Sequence, residues 1–207
     1  MAEIKEKQDQ LLVVFLRNPL LGKVKKRIAA ILGDKKAYDI YVDLLINTKS
    51  VCDTIAMNKA VFYSDFIDHA DIWSNTSYIK YLQTGKDIGE RMYHVFNQVL
   101  EDFEKVVLIG SDIPGINTEI INKAFKELEY SEIVLGPAKD GGYYLIGMKK
   151  PIKKIFAKKV WSTNTVLNDT LKDLQEMGKS YILLDMLGDV DTVNDFDELG
   201  LMNDKKN

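Results

Sequence analysis

Two blocks of opposite charge stand near opposite ends of the 207-residue chain. Between Arg17 and Gly33 five cations, Arg17, Lys23, Lys25, Lys26 and Arg27, occur without one acid. This segment leaves an apolar run, turns at Asn18, Pro19 and Gly22, and is expected to enter a helix near Val24. Cations in a first helical turn oppose the helix dipole by about 0.3–1 kcal/mol each. An anion docked on free backbone N–H groups and positive side chains offsets that cost. The chemistry this suits is a phosphate cradle; a solvated basic helix face has the same composition. A Walker A loop is excluded, because the positions that require its first glycine and its Ser or Thr hold Arg17 and Val24. Gly110 and Gly115 have the glycine spacing of that loop but lack its lysine.

The opposite block runs from Tyr181 to Asp204 without a Lys or Arg and carries Asp185, Asp189, Asp191, Asp195, Asp197, Glu198 and Asp204. Carboxylates this dense repel one another unless solvated or neutralised, and Mg2+ or Mn2+, hard ions that share oxygen ligands with phosphates, would neutralise them. Thr192 and Asp195 also have capping-box spacing, which accounts for Asp195 better than for Asp189 or Asp191. Ser111 and Asp112 directly follow an apolar run, where an acid could hold a metal or cap the next helix, although Asn117 suits the cap better. Asp140, Gly141 and Gly142 are either a hairpin turn, for which Asp-Gly is a strong signal, or part of a site. Together these residues suit the binding of a metal-bound, phosphorylated ligand between the cradle and the carboxylates.

The elements that must position them alternate. Leu11–Leu16 and Val106–Ile109 are apolar runs expected of strands buried on both faces, with shorter strands at Ala60–Tyr63, Tyr78–Leu82, Ile133–Leu135, Tyr143–Ile146 and Tyr181–Leu184. Helical stripes run from Tyr38 to Ile55, from Ile88 through Met92, Val95, Phe96 and Val99 to Phe103, from Ile120 to Leu128 and from Val166 to Leu174. Strands alternating with helices of this length predict an α/β fold, a mostly parallel sheet with helices on both faces. Ligands of such sheets sit outside the carboxyl ends of the strands, which is where Arg17–Arg27, Gly110–Gly115 and the segment from Asp185 fall. Arg91 is read as a surface arginine, Trp161 as a packing residue, Cys52 as core, and His94 as having no role. Tyr143 and Tyr144 should face opposite sides of their strand, so that one of them at most reaches a site.

Composition sets the frame. The chain has 28 basic and 31 acidic residues, a net charge of −3, so no global positive field recruits nucleic acid or an anionic membrane. No apolar run approaches the roughly 20 residues of a membrane span, and a single cysteine excludes an internal disulfide framework. The expectation is one domain over residues 11–202 with frayed ends at 1–10 and 203–207, in the cytoplasm.

The motifs resemble a known family. Arg17–Arg27, R-N-P-L-L-G-K-V-K-K-R, is similar to the K-x-P-x-x-G-x-V-K-T-R-L signature of a bacterial family in the nucleotide-diphospho-sugar transferase superfamily. That family has the Rossmann-like glycosyltransferase-A fold and is labelled as transferases of radical-enzyme, selenodomain or arsenosugar gene clusters. Q-T-G-K-D-I-G-E-R-M (Gln83–Met92), I-G-S-D-I-P (Ile109–Pro114), G-P-A-K-D-G-G-Y-Y-L-I-G (Gly136–Gly147), V-W-S-T-N-T-V-L (Val160–Leu167) and D-V-D-T (Asp189–Thr192) follow in the family's order. The basic segment and the D-G-G string are also similar to 2-phospholactate and phosphoenolpyruvate guanylyltransferases and, more distantly, to the molybdenum cofactor guanylyltransferase.

The resemblance implies roles. Arg17, Gly22, Lys25 and Arg27 would contact nucleotide phosphates, with Lys25 offsetting charge that grows in the reaction. Gln83 and Gly85 would lie near the base. Ser111, Gly141 and Gly142 would complete the binding site. Asp112 and Asp191, with Asp189 as the alternative to Asp191, would hold Mg2+ or Mn2+, and Asp140 would act beside the acceptor. Arg17 stands where the family has lysine and Lys26 where it has Thr or Ser, and Ser111-Asp112 offers one acid where many glycosyltransferases of this fold have an Asp-x-Asp pair. The leading expectation is glycosyl transfer from a nucleotide-diphospho-sugar to a small acceptor. The alternatives are nucleotidylyl transfer from a nucleoside triphosphate to a phosphorylated small acid or sugar, and a catalytically idle nucleotide-binding module. No nucleic-acid or membrane partner is expected, and self-association into a homodimer is left open.

Overall fold

A computed structural model describes residues 7–188. Among these, seven strands form one sheet in the order β3-β2-β1-β4-β6-β5-β7: β1 is Gln8–Leu16, β2 Asn58–Tyr63, β3 Ile79–Leu82, β4 Phe103–Gly110, β5 Ile133–Pro137, β6 Tyr143–Met148 and β7 Tyr181–Leu183. All pairings are parallel except those of β6, which runs antiparallel to both β4 and β5. β1 sits mid-sheet, with Val14 beside both Val61 and Ile109. The chain leaves β1 toward β2 on one side and leaves β4 toward the other. The crevice between the carboxyl ends of β1 and β4 is therefore a topological switch point, where ligands of such sheets bind.

The helices are α1 (Lys26–Leu32), α2 (Asp34–Asp53), α3 (Ile88–Val99), α4 (Thr118–Tyr130) and α5 (Val166–Glu176), with a 3₁₀ turn at Lys153–Phe156. Alternation along β1 divides the core. Leu12, Val14 and Leu16 join the cluster built on Tyr41, Leu45 and Cys52 of α2 and Ile121 and Phe125 of α4. Leu11, Val13 and Phe15 join Val95 and Phe96 of α3, Phe156 of the 3₁₀ turn and Leu174 of α5. Both faces of the sheet are thus covered, as a fully apolar strand requires.

The sequence expectations differ from this at three places. Gln8 and Gln10, placed in a frayed end, pair with Phe103 and Lys105 at the start of β1, because main-chain ladder bonds do not depend on side-chain polarity. Phe103, read as the last residue of a helical stripe, opens β4; α3 ends at Val99 and its final position caps on Leu100. The helix after the basic loop begins at Lys26, since Lys25 takes a left-handed conformation, φ 44°.

Burial of hydroxyls and a thiol gives the fold a defined alkaline limit. Burial raises Tyr41, Tyr63, Tyr78 and Tyr143 well above the usual tyrosine range and pushes Tyr144 and Cys52 up to about 12. Above about pH 8.5 for the thiol and about pH 10 for the phenols, the unfolded chain releases protons that the folded chain retains, so stability falls as pH rises toward the folded values. The melting temperature should hold up to about pH 8.5 and drop steeply beyond about pH 10. Tyrosinate absorbance from these five residues should appear only with unfolding, and their free titration in the native state would contradict the packing described.

Candidate functional site

The loop after β1 is built by side chains that bond main chain far away. Asn18 is 1% exposed. Its Oδ1 accepts from the backbone N–H groups of Asp65 (3.0 Å) and Phe66 (3.4 Å), and its Nδ2 donates to the Phe66 carbonyl at 2.9 Å. The loop after β1 is so fixed to the loop after β2. Tyr41 of α2 secures the preceding residue: its hydroxyl donates to the Arg17 carbonyl at 2.8 Å, accepts from the Arg17 N–H at 3.1 Å and lies 3.3 Å from Ser111 Oγ. Thr48 donates to the Ser111 carbonyl at 3.0 Å. One helix therefore holds the ends of β1 and β4 in a common frame. Gly22 turns the loop at φ +72°, a conformation that side-chain-bearing residues rarely adopt.

Asp112 lies just beyond β4. Asn117 caps α4 by accepting from the Ile120 N–H at 2.9 Å, which leaves Asp112 facing the crevice. There its Oδ2 accepts from Lys25 Nζ at 2.7 Å, with the lysine side chain 4% exposed and the aspartate 35%. Removing one partner of such a pair strands the other charge. Gln83, beyond β3, is 8% exposed. Its Nε2 donates to the carbonyls of Phe62 (2.7 Å) and Leu16 (3.2 Å), joining β1 to β2. Arg91 of α3 donates from Nε to the Gly85 carbonyl at 3.2 Å and from Nη1 to Gln83 Oε1 at 3.4 Å. Gly85 lets the loop lie against α3: a Cβ there would come 2.8 Å from the Arg91 nitrogen.

These residues enclose a cleft of about 480 Å³ over the β1/β4 switch point. Among the described residues five cations line it, Arg17, Lys25, Lys26, Arg27 and Arg91, against one acid, Asp112. A second cavity of about 300 Å³ adjoins it, and Phe15, Ile88, Gly110 and Asp112 belong to both walls. Asp140 stands at the second cavity, on the hairpin that joins β5 to β6. Its Oδ1 accepts from the Gly142 N–H at 2.8 Å, and the Ala138 N–H donates to the Gly142 carbonyl at 3.0 Å. The Asp-Gly turn and the candidate site are thus the same residues. Tyr143 and Tyr144 pack into opposite core clusters as alternation requires, yet both line this cavity because it wraps the strand end.

Of the residues singled out from sequence, the large cleft brings together Arg17, Lys25, Arg27, Gln83, Ser111 and Asp112. The smaller cavity takes Asp112, Asp140 and Gly142. Gly22, Gly85 and Gly141 shape the surrounding loops. Asp189 and Asp191 lie outside the described residues, as do Thr192 and Asp195. Arg91 is not a surface arginine: its guanidinium forms part of the wall. The hydrophobic stripe that marked α3 could not show this, since the residue before Met92 falls on the polar side of the helix, and only the fold of the Gly85 loop turns that side inward. Asn18 and Tyr41 were also missed as site-building residues. Trp161 does pack, its ring lying where a Cβ on Gly89 would come within 2.3 Å.

The described residues fit a hard divalent cation in part. Asp112 offers a carboxylate of the right kind beside a phosphate-sized field of cations, as Mg2+ and Mn2+ sites shared with substrate phosphates require. No group of three or more His, Cys, Asp or Glu converges among the described residues, so phosphate oxygens, waters or a further carboxylate would complete the shell.

Comparison with known proteins agrees with this fold. The sequence profile of a bacterial family described as "Uncharacterized protein conserved in bacteria (DUF2064)" matches residues 47–163. No curated protein matches the sequence. A crystal structure from Desulfovibrio desulfuricans described as a "putative nucleotide-diphospho-sugar transferase" superposes with a TM-score of 0.86 at 29% identity, covering 96% of this chain and 89% of that one. A CMP:2-keto-3-deoxy-manno-octonic acid synthetase in complex with CTP gives 0.58 at 10% identity over 96% of this chain and all 100% of that one. Rv0371c of Mycobacterium tuberculosis, in complex with manganese, gives 0.56 at 14% identity over 94% and 98%. The last two likenesses establish the α/β fold alone. No helix among the described residues is long and apolar enough to cross a membrane.

Proposed function

The chain belongs to the bacterial family DUF2064, and from the charge of its cleft we propose a metal-assisted transferase that moves a glycosyl group from a nucleotide-diphospho-sugar to a small acceptor. One observation carries the reading: among the described residues, five cations and a single carboxylate line the crevice at the switch point of the sheet, where this fold class binds nucleotides. The protein described as a "putative nucleotide-diphospho-sugar transferase" shares this fold over nearly the whole chain, which supports a donor of that class. A cytoplasmic setting accompanies the reading, in keeping with one buried thiol, Cys52.

In this reading the donor's diphosphate lies among Arg17, Lys25 and Arg27, with Lys26 and Arg91 adding to the field. Gln83 and Gly85 border the nucleoside, and Ser111 holds the crevice floor through Tyr41 and Thr48. A divalent cation held by Asp112, with Asp191 or Asp189 as a further ligand, would supply positive charge to the leaving diphosphate. Lys25 leaves its pairing with Asp112 for a phosphate oxygen and offsets the negative charge that builds as the sugar–oxygen bond breaks. The acceptor's hydroxyl oxygen bonds to the anomeric carbon, its proton passes to the Asp140 carboxylate, and a nucleoside diphosphate departs. Gly141 and Gly142 keep the backbone beside Asp140 close to that step.

Thermal shift with nucleoside triphosphates and nucleotide-diphospho-sugars, each with and without Mg2+ or Mn2+, tests the donor. A ligand at 100 times its Kd adds about 2.7 kcal/mol, or roughly 5–11 °C for a chain of this size. A metal-dependent shift with one nucleotide sugar, followed by release of nucleoside diphosphate, is the expected result. Shifts with triphosphates alone, with pyrophosphate as product, would replace the reading by nucleotidylyl transfer; no shift and no product with any of them would leave a binding module. Asp112→Ala should remove the metal-dependent part of the shift and leave the chain folded, with a lower apo melting temperature because the buried Lys25 ammonium loses this partner. A variant that retained the full metal-dependent shift would take Asp112 out of the metal site.

A further inference from the structure

The two cavities differ in charge as sharply as two sites sharing a wall can. The crevice has its five cations, whereas the adjoining 300 Å³ cavity has, among the described residues, no Lys, Arg or His in its lining and two carboxylates, Asp112 and Asp140. The rest of its wall is mainly aromatic and aliphatic, with Phe15, Met92, Tyr144 and Trp161 among its residues and the polar Ser162 and Thr163 near Trp161. Its volume lies at the lower end of the roughly 300–1,000 Å³ that small-molecule sites occupy.

We propose that this second cavity is the acceptor subsite and that it takes an uncharged hydroxyl compound with an apolar face, such as a glycoside or polyol, and rejects phosphorylated acceptors. The inference rests on the transferase reading only in naming the occupant an acceptor. A phosphate or carboxylate placed here would meet the Asp140 carboxylate and, among the described residues, no cation in the lining, since Lys25 is engaged by Asp112 from the crevice side; like charge in a wall of low polarity is how binding sites exclude a wrong partner. An uncharged molecule meets no such penalty. Its apolar face covers aromatic surface such as Trp161, while its hydroxyl lies toward the carboxylates, where a proton leaving that oxygen has an acceptor. The same charge pattern separates the two substrates: the anionic donor is drawn to the crevice and kept out of the neighbouring cavity.

The test uses the full-length chain with excess pyrophosphate, which occupies the cationic crevice. Saturation-transfer NMR then compares phenyl β-D-glucopyranoside with its 6-phosphate. The neutral glycoside should bind, and the phosphorylated one should bind about tenfold more weakly or not at all. Ser162→Arg places a cation at the exposed rim of the cavity without removing a hydrogen-bonded or core side chain. It should raise affinity for the 6-phosphate about tenfold and leave the thermal shift caused by pyrophosphate unchanged. Equal or tighter binding of the 6-phosphate by the unaltered protein, no binding of either glycoside, or no response to Ser162→Arg would overturn the proposal. Absence of any pyrophosphate shift is a different failure: it would count against the phosphate-binding crevice and hence against the donor assignment, not against the charge preference of the second cavity.

Discussion

Lys25→Ala should leave the chain folded and lower kcat/KM for the nucleotide-sugar donor by about 10²–10³-fold, the scale of removing one positioned group that stabilises charge growing on a leaving group, here the departing diphosphate. The expectation rests on where the ammonium is. Its side chain is 4% exposed, and it reaches Asp112 at 2.7 Å from a backbone position with φ 44°. A left-handed residue between the β1 loop and α1 turns the side chain toward β4, whereas the regular helical residues that follow lie further round the helix. Alanine accepts the same backbone conformation about as poorly as lysine does, so the change acts on charge. The effect on metal should have the opposite sign. The ammonium occupies the carboxylate oxygen that a cation would use, and its removal should tighten Mn2+ binding to Asp112 severalfold, which isothermal titration reads directly. Lys25→Arg keeps the charge but replaces a point donor by a planar fork, and should recover donor binding more than rate. If Lys25→Ala lost donor binding and Mn2+ binding together, Lys25 would be a structural support of the Asp112 loop and not a partner of the phosphates.

Which parts of this could be read from the residues follows from the range of the forces involved. The strands were legible because burial on both faces leaves an unbroken apolar run, as in Leu11–Leu16, and the helices because one buried stripe repeats at helical steps. The cationic cleft was legible in part: Arg17, Lys25, Lys26 and Arg27 belong to a run of five cations without an acid in a chain of net charge −3, whereas Lys23 of that run stays out of the lining and Arg91 enters it from α3. Asn18 reads locally as a turn former, yet its amide is spent on Asp65 and Phe66, 47 and 48 residues away. Tyr41 reads as one member of a helical stripe, yet its hydroxyl joins Arg17 to Ser111. Nothing in local spacing encodes a bond that exists only once β1, β2 and β4 are side by side. The antiparallel course of β6 was written in the Asp-Gly turn before it, but the same dipeptide was equally readable as chemistry, and the structure uses it for position: the hairpin presents Asp140 at the second cavity.

That dual use makes Gly141→Ala the substitution with the largest expected effect on stability. At φ +88° a side chain is already strained, and a Cβ would lie 2.2 Å from the Asn164 carbonyl oxygen and 2.5 Å from its Cα. These are backbone atoms, so no rotamer change relieves the clash. The hairpin would have to move away from the loop before α5, and with it the bond from the Leu167 N–H to the Gly141 carbonyl, 2.9 Å long. Strain and lost contact together should cost about 2–4 kcal/mol, a fall in melting temperature of roughly 4–16 °C. Because Asp140 rides on this hairpin, a shift on the order of 1 Å should also lower kcat about 10²-fold while donor affinity, set in the other crevice, holds. Gly178→Ala separates the two causes. It has φ +63° but nothing within 4 Å of the added Cβ, so it should cost only the conformational strain, about 1 kcal/mol, and leave kcat unchanged. Equal losses from the two variants would mean that backbone conformation alone sets the requirement for glycine at 141, and that the contact with Asn164 does not hold Asp140 in place.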